Sequence, residues 1–86
     1  MSRPLADMKN IGDKTARLLA EVGVQTEDDL RALGAVDAYR RAKQAFPERI
    51  SLNCLYALEG ALMDIHLTRL DPELRRKIRE AAEETP

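Results

Sequence analysis

Aromatic residues are almost missing from this chain: no tryptophan, one phenylalanine and two tyrosines in 86 residues. Any core must therefore be aliphatic. A single cysteine, Cys54, excludes an internal disulfide and a cysteine-based metal cluster. One thiol and no disulfide suit a reducing compartment, and a cytoplasmic location is expected. No apolar run approaches the roughly 20 residues needed to span a bilayer. The N-terminus, MSRPLADMK, lacks the apolar segment of a signal peptide. An excess of charge is missing too, since 14 Lys+Arg face 15 Asp+Glu. That balance argues against a dedicated polycationic nucleic-acid binder, so any contact with DNA must come from local geometry.

What is present is helical periodicity. Chain length supports one domain over residues 1–86, and the apolar spacing with its stop signals predicts helices over about 4–9, 13–22, 27–33, 35–45, 51–67 and 72–83. Ile11, Thr15, Leu18, Leu19 and Val22 share one face, and Gly23 is a natural stop. Thr26 with Asp29 three residues later reads as a capping box, with Asp29 standing in for the usual glutamate. Pro47 ends the helix that begins near Ala35, and Ser51 opens the longest one, SLNCLYALEGALMDIHL. Along it Leu52, Leu55, Leu58, Leu62 and Ile65 form a stripe, while Ala57, Gly60 and Ala61 allow another helix to approach. This segment reads as the central core helix. Asp71 caps the last helix, Pro72 takes its first position, and Glu73–Lys77, Arg76–Glu80 and Arg79–Glu83 are spaced for ion pairs. The resulting fold class is all-α: two successive helical hairpins (4–9 with 13–22, then 27–33 with 35–45), a long core helix and a C-terminal helix.

Catalytic chemistry is not legible. His66 and Cys54 lie on the same predicted helix about 18 Å apart, too far for a catalytic pair or a shared metal. No glycine-rich nucleotide loop occurs, and neither a catalytic nor a metal-ligating set is expected. The strongest candidate site is the segment MKNIGDKT. Asn10, Ile11 and Gly12 can form a tight turn between helices, because asparagine tolerates left-handed backbone and glycine accepts conformations other residues avoid. Such a turn can aim N–H groups at a phosphate, with Lys14 and Arg17 flanking it one helical turn apart. Arg40, Arg41 and Lys43 could extend a basic face. The same residues can instead be an elbow, with Ile11 plugging the core, Gly12 permitting the turn and Asp13 capping the helix. Asp13 competes for the N–H groups a phosphate would need, so the residues by themselves favour the elbow.

The blocks NIG-x-KTA, VG-x-x-T-x-x-DLRALGAV and LN-x-LYALEGAL resemble the C-terminal domain of the TfoX/Sxy family, bacterial regulators associated with competence and DNA transformation. The resemblance runs from about Leu5 to Leu70. It implies a compact five-helix domain of helix-hairpin-helix or SAM-like type, which follows an N-terminal domain in longer members. Length and an initiating Met suggest a stand-alone copy. Family members promote transcription of competence genes alongside a cyclic-AMP receptor protein. The residues that match hairpin positions are Asn10, Ile11, Gly12 and Lys14, as a phosphate-contact turn. The leading expectation is a non-enzymatic regulatory module with a protein partner and no cofactor, membrane or small-molecule substrate. Direct contact with the DNA backbone through the first hairpin is the alternative, and self-association through Ala57, Gly60 and Ala61 is a third reading.

Overall fold

A computed structural model of the chain describes residues 2–83. Five α-helices follow one another: α1 (Asp13–Glu21), α2 (Glu27–Leu33), α3 (Ala35–Ala45), α4 (Leu52–Met63) and α5 (Pro72–Glu83). Two short 3-10 turns, Leu5–Asp7 and Leu67–Arg69, complete the described residues. The all-α class is as expected. The Cα radius of gyration, 11.7 Å, is close to the value of about 12 Å for a compact chain of this length.

The sequence punctuation is physically real at most boundaries. After α1, Gly23 adopts φ +89°. Its N–H donates to the Ala20 carbonyl at 3.1 Å and the Val24 N–H to Leu19 at 3.0 Å, a Schellman closure. Leu19 and Val24 are both buried at that closure. At α2 the reciprocal box forms: Asp29 N–H donates to Thr26 Oγ1 at 3.3 Å, and Asp29 Oδ2 accepts from the N–H groups of Thr26 and Gln25. Those donors hold the Asp29 carboxyl below its ordinary range. Gly34, at φ +87°, ends α2 and begins α3 within one residue. Pro72 occupies the first position of α5 as predicted.

Three expectations change. Residues 4–9 do not form a helix: Pro4 forms an isolated antiparallel bridge with Thr26, and only Leu5–Asp7 turns. The N-terminal segment is instead strapped across the start of α2. Glu27 N–H donates to the Arg3 carbonyl at 3.0 Å, Asp28 N–H to Ser2 Oγ at 2.8 Å, and Arg3 pairs with Glu27 at 2.9 Å. The predicted first hairpin is thus one 3-10 turn beside α1, and only α2–α3 is a true helical hairpin. The helix expected over 51–67 stops at Met63, where Asp64 turns left-handed at φ 58°. Lastly, Glu73 bonds to Arg76 rather than to Lys77, and Arg79 donates to Tyr56 Oη at 3.3 Å. The predicted Arg76–Glu80 pair does form, at 2.7 Å.

The core is aliphatic, with Leu5, Leu19, Val24, Leu30, Leu55 and Leu58 fully enclosed. Burying each leucine contributes about 1.5–3 kcal/mol. The hub is α3 rather than α4, because α3 packs against α1, α2, α4 and α5. Its inward positions Ala35, Ala38 and Ala42 carry single methyl groups, which let neighbouring helices approach. On α5, Arg75 stacks over the Tyr56 ring at 5.1 Å and donates from Nη2 to the Leu67 carbonyl at 2.7 Å, tying α5 to α4 and to the chain between them.

Candidate functional site: the α1 turn and its basic face

The turn before α1 is built by a buried residue and an inward-facing amide. Met8 and Ile11 are in the core, so the chain enters α1 with its apolar side chains already packed. Asn10 lies between them at φ 70°, a conformation asparagine adopts at low cost. Its side chain reaches across the fold. Nδ2 donates to the carbonyls of Ile65 at 2.9 Å and Ala57 at 3.3 Å, and Oδ1 accepts from the Leu67 N–H at 3.1 Å. One amide therefore satisfies the chain where it leaves α4, the stretch the sequence reads as more helix.

Gly60 is the counterpart of that amide. A Cβ on Gly60 would lie 2.7 Å from Asn10 Nδ2 and 2.9 Å from the Ile65 carbonyl oxygen. The small residue thus makes room for Asn10 and the returning chain, not for another helix. Ala57, Gly60 and Ala61 are all buried within the chain.

Gly12 behaves differently from its expected role. Its φ of −89° and ψ of 175° are ordinary extended backbone, and an added Cβ would meet nothing within 4 Å. The left-handed residue of NIG is Asn10. Gly12 takes the N-cap position of α1, Asp13 is the first helical residue, and no side chain caps the turn. Asp13 is thus not the cap.

The predicted basic residues divide into separate groups. Lys14 and Arg17 are exposed on α1 and line a groove of about 340 Å³ with Leu18, Glu21, Phe46 and Arg49. Phe46 and Arg49 belong to the connection between α3 and α4. Neither was a predicted site residue; the break at Pro47 was their only sequence signal. Arg41 is exposed at a second depression with Val22, Gln44 and Ala45, while Arg40 is half-buried. Lys43 does not join a basic face. Its Nζ donates to the carbonyls of Pro47 at 2.8 Å and Ile50 at 2.7 Å, closing the loop that Pro47 opens.

The remaining chemistry-bearing groups are dispersed. Cys54 is half-buried, and burial pushes its thiol up to about 11. His66 lies beyond the end of α4, where Nδ1 accepts from the Thr68 N–H at 3.3 Å. No helix among the described residues is long and apolar enough to cross a membrane.

The sequence profile of the TfoX C-terminal domain matches residues 1–82. The chain belongs to this family. The TfoX C-terminal architecture also recurs in solved structures. The crystal structure of an uncharacterized protein from Listeria monocytogenes, in a triclinic form, aligns over 93% of this chain and 90% of its own with 26% identity and a TM-score of 0.86. A protein of unknown function from the same organism, in a tetragonal form, aligns over 92% of this chain and 100% of its own, at 28% identity and a TM-score of 0.80. No protein of curated function matches.

Proposed function

We propose that this TfoX C-terminal domain is a non-enzymatic regulatory module of the cytoplasm that serves competence and DNA transformation through contacts with a protein partner. The observation that carries the reading is the inward commitment of the α1 turn. Asn10, the turn's polar side chain, has its amide bonded to Ala57, Ile65 and Leu67, and Ile11 is enclosed. What α1 exposes is a face of mixed charge, Asp13, Lys14, Arg17 and Glu21, whose two carboxylates suit a protein surface better than a bare phosphate backbone.

Direct contact with the DNA backbone is the second reading. It is favoured by the uncapped start of α1, where Lys14 and Arg17 are exposed beside the first-turn N–H groups. The exposed Asp13 carboxylate in that same turn opposes it.

Titration of a 20-base-pair duplex at low and rising salt separates the two. The protein-contact reading expects no binding at low salt, or weak binding that Lys14→Glu leaves unchanged. Binding that weakens linearly in log salt, by about 0.9 per phosphate contact, and that Lys14→Glu abolishes, would establish the DNA reading instead. In the cell, deletion of the gene should change competence-gene transcript levels, and the wild-type chain should restore them.

A further inference from the structure

We infer that the groove between α1 and the α3–α4 connection is the docking site for an acidic segment of the partner that carries one large apolar anchor residue. This deepens the protein-contact reading and rests on it. Half-buried Phe46 and the edge of the core residue Leu18 form the apolar floor of the groove, and Lys14, Arg17 and Arg49 surround it against the single carboxylate of Glu21. Among the described residues, Lys14, Arg17 and Arg49 make no ion pair and no side-chain hydrogen bond. Arg3, Arg31 and Arg76, by contrast, are paired with Glu27, Glu73 or Glu80. Arg75, Arg79 and Lys43 are spent on Leu67, Tyr56 and the Pro47–Ile50 loop. Lys9, Arg40, Arg41, Arg69 and Lys77 are likewise unpaired among the described residues; what sets Lys14, Arg17 and Arg49 apart is that they converge from two elements on one depression floored by Phe46.

Charge complementarity selects a carboxylate-bearing occupant, and the apolar side chains select its anchor. A flexible acidic segment without an anchor would leave the exposed part of Phe46 uncovered, while a duplex backbone has no apolar side chain to cover it. Glu21 sits within the groove, where its carboxylate can accept from a backbone N–H of a bound peptide. Arginine and an aromatic at one centre are also the residue types that dominate interface energetics.

The test uses the full chain and a labelled 12-residue peptide of alternating Asp and Glu with one central Phe. Its partners are the same peptide with Ala for Phe, a Lys-flanked Phe peptide, and a 20-base-pair duplex. Binding is read by fluorescence anisotropy and by amide chemical-shift mapping. The acidic Phe peptide should bind with shifts confined to residues 14–21 and 46–49. Affinity should fall tenfold or more with Arg17→Glu or Arg49→Glu, and with the Ala peptide. Lys77→Glu, outside the groove, should leave it unchanged. Because Arg17 and Arg49 are exposed, these reversals keep the fold, which circular dichroism checks.

Absence of groove shifts at millimolar peptide, shifts at another surface, or equal binding of the Ala or Lys peptide overturns the proposal. A photo-crosslinker at position 49 or at position 77 in cells distinguishes the two levels. Partner capture only from position 77 overturns the groove and leaves the protein-contact reading standing. Duplex binding lost on Arg17→Glu overturns both.

Discussion

Replacing Gly60 by alanine tests whether this glycine exists for the Asn10 amide. In an unobstructed helix the change would stabilise by about 1 kcal/mol, because alanine is the better helix former. Here the new Cβ would meet Asn10 Nδ2 at 2.7 Å and the Ile65 carbonyl oxygen at 2.9 Å. The second is backbone and cannot swing away. Overpacking of this kind costs about 1–3 kcal/mol. Pushing Asn10 aside adds the loss of its bonds to Ala57 and Ile65, each about 1 kcal/mol net. The expected balance is a loss of about 2–4 kcal/mol, or roughly 10–30 °C in Tm for a domain this small. Urea denaturation followed by far-UV circular dichroism reads it directly. The diagnostic step is the double mutant. Once Asn10→Ala has removed Nδ2, Gly60→Ala meets only the Ile65 carbonyl, and its cost should fall by at least about 1 kcal/mol. Asn10→Gly should in turn be milder than Asn10→Ala by about 1 kcal/mol, since glycine avoids the left-handed strain at φ 70°. A neutral or stabilising Gly60→Ala, or strictly additive effects with Asn10→Ala, would refute this account of the α4 exit.

Gly12→Ala should change stability by less than about 1 kcal/mol, because its extended, unobstructed backbone favours alanine while the N-cap position favours glycine; a larger fall in the urea midpoint would contradict this. Asp29 and Glu27 have carboxyls held below their ordinary values of 3.8 and 4.5, Asp29 by backbone N–H donors and Glu27 by Arg31 and Arg3. Their contribution is complete above those ordinary values and fades as pH falls through the lower folded ones, so the stability gap between wild type and Asp29→Asn should shrink below about pH 3.8 in urea titrations. Cys54, raised from 9.0 to about 11 by burial, should be alkylated by iodoacetamide at pH 8 at least about a hundredfold more slowly in the native protein than in urea. Lys43→Met keeps the buried stem but removes both bonds to the 47–50 loop; it should cost about 1–2 kcal/mol and speed amide hydrogen exchange at Arg49 and Ile50.

The parts of this fold that are legible in sequence are those settled within a few residues. Gly23, Gly34, Thr26 with Asp29, and Pro72 stop or start helices through bonds to near neighbours, so their residue types announce them. The failures share one cause, which is distance along the chain. Met63-Asp64-Ile65 continues an apolar period and reads as helix, yet the chain turns there. The amide that satisfies the turn comes from Asn10, 55 positions away from Ile65. Residues 4–9 carry helical spacing, but Pro4 pairs with Thr26, Ser2 and Arg3 are bonded to the start of α2, and only Leu5–Asp7 turns. The candidate site follows the same rule. Lys14 and Arg17 are visible as one helix face, whereas Phe46 and Arg49 join them only because α3 packs on α1. The NIG motif combines both cases. Its left-handed residue is predictable from asparagine's own conformational tolerance, but what that asparagine is for depends on Gly60, which the sequence offers only as an isolated glycine in a helix. A cost to helix formation at Gly60 and a strained φ at Asn10 look like two local defects. Each is the condition for the other, and together they fix where α4 ends and how α1 begins.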